Sequence, residues 1–231
     1  MMSRRGVNLN FRRGLKAERR FRRDLRRYAR QAYGLMPKQL HFKDNAINAS
    51  AIGTSAGPNV FSIVAGIAQD DSSSGRSGRK VYLRELGIHW TCARDNDILT
   101  SSMVTAVIVL DKQANGSTGP TYAELFDSSG EDELAFRNLD NVDRYKILKK
   151  WQFTMQNTAG AWDGVNDKFT GNNRFFRWYK KWGGRGMPIT YSIGNTDGVS
   201  TAIKDNNIWM MIFADNANCT VTATTRVRFE P

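Results

Sequence analysis

Charge is what most constrains this chain, and it is concentrated at one end. Between Ser3 and Lys38 stand 13 cations (Arg4, Arg5, Arg12, Arg13, Lys16, Arg19, Arg20, Arg22, Arg23, Arg26, Arg27, Arg30 and Lys38) against Glu18 and Asp24, a local net of +11. The whole chain has 34 basic and 22 acidic residues, a net of +12, so residues 39–231 keep 21 against 20 and are almost neutral. Like charges at that density repel one another, and a polyanion or an anionic surface relieves the repulsion. Residues 1–38 therefore read as a basic arm, and the core must come from the rest of the chain.

Within the arm, Phe21, Leu25, Tyr28 and Ala32 recur at i, i+4, i+7 and i+11, which predicts an amphipathic helix over about residues 15–33, ended by Gly34 and Pro37. Arginine suits phosphate because its planar guanidinium donates two parallel hydrogen bonds and stays charged. A polyanion-binding arm, a membrane-surface helix and a solvated helix all fit the pattern. The arginine density, with a short apolar stripe that lacks Trp, favours the first. The doublets from Arg19 to Arg27 are also of the kind that nuclear import receptors read.

With 40% hydrophobic and 11% aromatic residues, the remainder can bury one core without disulfides. Residues 39–57, rich in Asn, Ala, Ser and Gly, read as a linker and residues 58–231 as one domain. Eight strands are predicted in that domain: 59–67, 80–93, 103–110, 145–156, 173–182, 188–193, 207–214 and 218–229. Runs 103–110 and 207–214 are apolar throughout and so are covered on both faces. In 218–229, Cys219, Val221, Ala223, Val227 and Phe229 face inward, and Thr220, Thr222, Thr224, Arg226 and Arg228 outward. Loop 70–78 reads as exposed and mobile, Asn115-Gly116 as a turn, and Thr121 with Glu124 as a capping box opening a one- or two-turn helix. A second short helix is predicted over 131–139. Without a βαβ rhythm, this is an all-β, antiparallel two-sheet sandwich preceded by a partly helical basic arm.

Several enzyme classes lack their residues. His41 and His89 are the only histidines, and neither has a second His or Cys at ligand spacing. No phosphate-cradling glycine loop and no nucleophile elbow occurs. Asp95/Asp97, Asp140/Asp143 and Asp163/Asp167 read as turn and cap residues, with a cation shared at a subunit contact as the alternative. Cys92 and Cys219 read as small buried hydrophobes. No apolar run has signal-peptide or membrane-span length. The expectation is a soluble protein with no catalytic residues, metal, cofactor or small-molecule substrate.

A second basic stretch is also aromatic. Arg174, Arg177, Lys180, Lys181 and Arg185 interleave with Phe175, Phe176, Trp178, Tyr179 and Trp182, which suits either a core strand with a subunit contact on its outer side or a nucleic-acid contact. On the second reading Arg174, Arg177, Trp178, Lys180 and Lys181 touch the strand.

Residues 81–86 (VYLREL), 88–90 (IHW), 107–116 (VIVLDKQANG), 121–126 (TYAELF), 136–140 (FRNLD), 143–148 (DRYKIL) and 206–209 (NNIW) together resemble the capsid proteins of small circular single-stranded-DNA viruses that encode a replication initiator, circovirus-type coats among them. The likeness covers about residues 58–231; the arm is not matched, and its role rests on charge. The resemblance implies an eight-stranded jelly roll without catalytic residues, closing in sixty copies into a small T=1 icosahedral shell like that of satellite plant viruses. It further implies a single-stranded DNA genome as partner, and a life between virion and host nucleus. The competing expectation is a cellular single-stranded nucleic-acid-binding protein with a basic tail on a β-sandwich.

Overall fold

The strand with the clearest alternation takes a central place. β10 (Cys219–Glu230) lies between β1 (His41–Ala51) and β3 (Lys80–Arg94), antiparallel to both. Its odd-numbered residues, Thr225 included, are buried, while Thr222, Thr224, Arg226 and Arg228 are exposed. A two-residue period permits nothing else once one face is buried. The computed structural model describes residues 40–94, 101–116, 118–127, 135–155, 173–215 and 219–231. The arm and its predicted helix lie outside the described residues.

Two sheets pack face to face. One runs β1-β10-β3, and then β3 pairs with β6 (Arg174–Lys181) along Glu85–Cys92 and with β7 (Met187–Tyr191) along Lys80–Leu83; the three-residue β8 (Ile203–Asp205) extends β7. The other runs β2-β9-β4-β5, with β2 (Asn59–Ser62), β9 (Asn207–Ala214), β4 (Ser102–Asp111) and β5 (Tyr145–Met155). Because β6 and β7 share one flank of β3, the ladders occupy eight positions plus the short β8. This is the antiparallel two-sheet sandwich expected from the strand count, in the jelly-roll form that the resemblance implies.

The linker expectation fails at 41–51. Those residues form β1, paired to β10 from His41↔Phe229 to Ala51↔Thr220, and the compact body begins at Leu40 rather than at Pro58. β1 shows little hydrophobic alternation because it is an edge strand with polar side chains that find bonds of their own: Asn45 Nδ2 donates to the Ile63 and Ala65 carbonyls at 3.1 and 3.0 Å. Predicted strand 59–67 stops pairing at Ser62, after which Ile63, Val64 and Ile67 still bury in the core. Of the predicted helix at 131–139, residues 131–134 lie outside the described residues. Residues 135–139 are not helical, and Arg137 instead bridges Phe126.

The two strands expected to be covered on both faces, the capping box and the Asn115-Gly116 turn are all present. β4 and β9 are buried on both faces, because their outer face (Val107, Val109, Met211, Phe213) is roofed by Tyr122, Leu125 and Phe126. The roof is α1 (Tyr122–Leu125), opened by the Thr121/Glu124 capping box and followed by Phe126. Arg144 fastens it: its guanidinium donates twice to the buried Asp111 at 3.1 Å and lies 3.5 Å from Glu124. Asn115 and Gly116 make the turn, both at positive φ. At one open edge of the sandwich Trp90 stacks on Phe176 at 4.2 Å and meets Trp151 edge-on at 5.7 Å, so β3 and β6 are joined to β5 across the core.

Loop 70–78 is exposed over 70–73, yet it holds one fully buried side chain, Arg76. Its guanidinium donates to the carbonyls of Ile67, Gly78 and Asn195 and lies 4.3 Å over the Tyr191 ring. Burial lowers its pKa, and the three carbonyls with the ring keep the charge tolerable. Arg76→Ala strands those carbonyls and should cost about 3 kcal/mol, measured as a fall in the urea or thermal unfolding midpoint. Arg76→Lys should recover only part, since an ammonium cannot reach three carbonyls in one plane. A midpoint unchanged in the alanine variant would show that the loop is held by something else.

Candidate nucleic-acid interface

The outer face of the six-stranded sheet has no apolar roof among the described residues. Four strands meet there in register, and the pairing lays their outward side chains in transverse rows. One row is Phe42, Arg228, Glu85 and Lys181; the next is Asp44, Arg226, Gly87 and Tyr179; the third is Ala46, Thr224, His89 and Arg177. A fourth joins Thr222 and Thr91 to Phe175.

The first two rows are held by ion pairs. Arg226 donates to both Asp44 oxygens at 2.7 and 2.6 Å. Glu85 sits between Lys181 at 3.0 Å and Arg228 at 3.3 Å. The hydrogen bond from Arg226 holds the Asp44 carboxyl below its ordinary value, and that from Lys181 does the same for Glu85.

Gly87 makes the hollow. The Tyr179 ring leans over it, and a Cβ at Gly87 would lie 3.0 Å from Tyr179 Cε1. The Tyr179 hydroxyl hydrogen-bonds His89 Nε2, and the two rings meet edge-on at 5.4 Å. The result is a groove of about 530 Å³ between Arg226, Arg228, Lys180, Lys181 and the tyrosine. A shallower hollow continues past His89 to Phe175 and Arg177.

The structure sorts the predicted β6 residues. Arg177 and Lys181 point outward in the rows, Lys180 lines the groove, and Arg174 is exposed at the strand's start. Trp178 does not belong with them. It is half-buried, packs against the core and meets Trp151 edge-on at 6.3 Å, because strand alternation turns it inward with Phe176. The exposed rings are Phe175 at 75% and Tyr179 at 64%. Arg226 and Arg228 were legible as outward residues; nothing in the sequence says that β10 and β6 flank the same strand. Arg4 to Arg30 lie outside the described residues.

Other chemistry is sparse in this part of the chain. Among the described residues no three of His, Cys, Asp or Glu could hold a metal, and no helix is long and apolar enough to cross a membrane. His41 Nδ1 is hydrogen-bonded to the Gly75 carbonyl oxygen at 2.8 Å. Cys92 and Cys219 are both buried; the hydrogen bond with Cys219, and then burial, raises the Cys92 pKa above the ordinary thiol value.

No protein-family model and no curated protein matches this sequence. Among solved structures, one described as Desmodium yellow mottle tymovirus is similar over 82% of this chain and 79% of its own, at 10% identity and a TM-score of 0.35.

The paired carboxylates give the face a definite acid response. Both pKa values are depressed on folding, so the stability they contribute is present above the ordinary values of 3.8 for Asp44 and 4.5 for Glu85 and is lost as pH falls through the depressed ones. Asp44→Asn with Glu85→Gln should reduce the loss of unfolding midpoint on acidification below pH 4.5, leaving other carboxylates to supply the rest. Parallel acid-dependence curves for the two proteins would show that these pairs are not formed in solution.

Proposed function

We propose that this chain is the coat subunit of a small icosahedral virus of the circular, replication-initiator-encoding kind, packaging single-stranded DNA with its arginine-rich arm and closing a shell with its jelly roll. The observation that carries the reading is the division of charge: +11 in the first 38 residues beside 193 residues at +1 that contain both sheets. A sandwich of nearly neutral charge can pack against copies of itself without long-range repulsion, while the arm needs a polyanion.

Sixty copies would bring on the order of 660 arm charges inside one T=1 shell, enough to offset a substantial share of a small genome's phosphates. Arg4, Arg5, Arg12, Arg13, Lys16, Arg19, Arg20, Arg22, Arg23, Arg26, Arg27 and Arg30 make those contacts in this reading, with no preference for base sequence. The same arginine doublets would serve import receptors before assembly in the host nucleus.

Full-length protein should bind oligothymidylate with a log affinity against log salt slope near about −8, since ~0.7 counterions are released per phosphate on a single strand. Deleting residues 1–38 should flatten that slope and leave a folded body, because both sheets lie within residues 40–231. Electron microscopy of the full-length protein should show closed particles. A monomer with a steep slope would favour a cellular single-strand-binding protein, and an unchanged slope after deletion would remove the arm from the account.

A further inference from the structure

The outer face of the six-stranded sheet carries rings and cations that shell closure by apolar contact does not require. Along β6 its outward positions read Lys181, Tyr179, Arg177, Phe175: cation, ring, cation, ring. Successive outward residues on a strand stand about 6.8 Å apart, so each kind of group recurs at about 13–14 Å, the span of two nucleotides in an extended single strand. A duplex offers no base faces to such rings; a single strand does.

The neighbouring strands complete the track. Arg226 and Arg228 on β10 line the groove beside Tyr179, and the missing side chain at Gly87 makes a hollow whose wall is the tyrosine ring. Its volume of about 530 Å³ falls within the usual range of small-ligand sites. Around it Arg177, Lys180, Lys181, Arg226 and Arg228 face Asp44 and Glu85, a net of +3. Both carboxylates are spent on those same cations, Asp44 on Arg226 and Glu85 on Lys181 and Arg228.

We propose that this face is a second single-strand nucleic-acid site, separate from the arm, in which Tyr179 and Phe175 stack bases and Arg177, Lys181, Arg226 and Arg228 hold phosphates. Asp44 and Glu85 are built-in competitors: a phosphate must displace a carboxylate to reach its cation, which keeps the site weak and lets the strand shift. The inference rests on the packaging reading for its ligand, but its residues are distinct from the arm's. It also assigns opposite signs to neighbouring substitutions, which ion pairs serving only stability would not do.

The test uses full-length protein and an oligothymidylate carrying 5-iodouracil, irradiated and mapped by mass spectrometry, with binding followed by fluorescence anisotropy. Adducts are expected on Tyr179 and Phe175 as well as on the arm. Tyr179→Ala and Phe175→Ala should each lower the adduct yield of the β6 peptide about tenfold while arm adducts and the unfolding midpoint stay put. Asp44→Asn with Glu85→Gln should raise that yield and tighten binding by about three- to tenfold at moderate salt. Adducts confined to residues 1–38 overturn the second site and leave the packaging reading standing. Loss of particles in Tyr179→Ala with no β6 adduct in the wild type makes the face a subunit contact and also overturns it. No adduct on either region overturns the packaging reading itself.

Discussion

The pairing of β3 with β10 is the constraint on which the rest of the molecule depends. Its register sets Leu86 beside Val227, Ile88 beside Thr225, Trp90 beside Ala223 and Cys92 beside Val221 on the inner face. The same register sets Glu85 beside Arg228 and His89 beside Thr224 on the outer one. A slip of one residue would drive two arginines into the core, at a cost no surface gain could offset. β1 takes its register from β10, and β6 and β7 take theirs from β3, so the transverse rows of the outer face follow from one ladder.

The two sheets then meet different fates. The connection from β4 to β5 is long and carries Tyr122, Leu125 and Phe126, which return over Val107, Val109, Met211 and Phe213 and bury that outer face. Among the described residues no such apolar segment covers the other sheet, whose outward positions are mostly Thr, Arg, Glu, His and Tyr instead. An apolar face must be covered and a charged one need not be, so the placement of α1 is already implied by which strands are apolar on both sides. The aromatic group around Trp90 closes the sandwich at the β5–β6 edge, where ring area replaces backbone pairing.

Much of this was legible in the sequence, and the parts that were not have identifiable causes. β10, β3, β4 and β9 announce themselves because apolar residues mark the buried face at every second position, or at every position. β1 does not, because an inward residue such as Asn45 is satisfied by long-range hydrogen bonds rather than by apolar burial, and composition reads such a strand as a linker. Trp178 was misplaced for a related reason: β6 has bulk on both faces, so its alternation does not say which face is the core. Contacts with Trp90, Trp151 and Phe153, distant in the chain, decide that. Arg76 was hidden because its partners are backbone carbonyls, which leave no sequence pattern. The face itself needed four strands to be laid side by side, whereas the charge of the arm could be counted directly.

The two sets of cations are under different electrostatic regimes. On the sheet, Arg226, Arg228 and Lys181 lie within about a third of a Debye length of a carboxylate, so their field is largely cancelled before it reaches solution. Thirteen arm cations share two carboxylates and can cancel little by any arrangement. On the packaging reading, long-range attraction of a polyphosphate would therefore belong to the arm, and any discrimination by the sheet would come at contact, from ring faces and from the exchange of one anion for another. On that reading salt would act on the two unequally, screening the arm strongly while stacking on the exposed Tyr179 and Phe175 rings would depend on it far less.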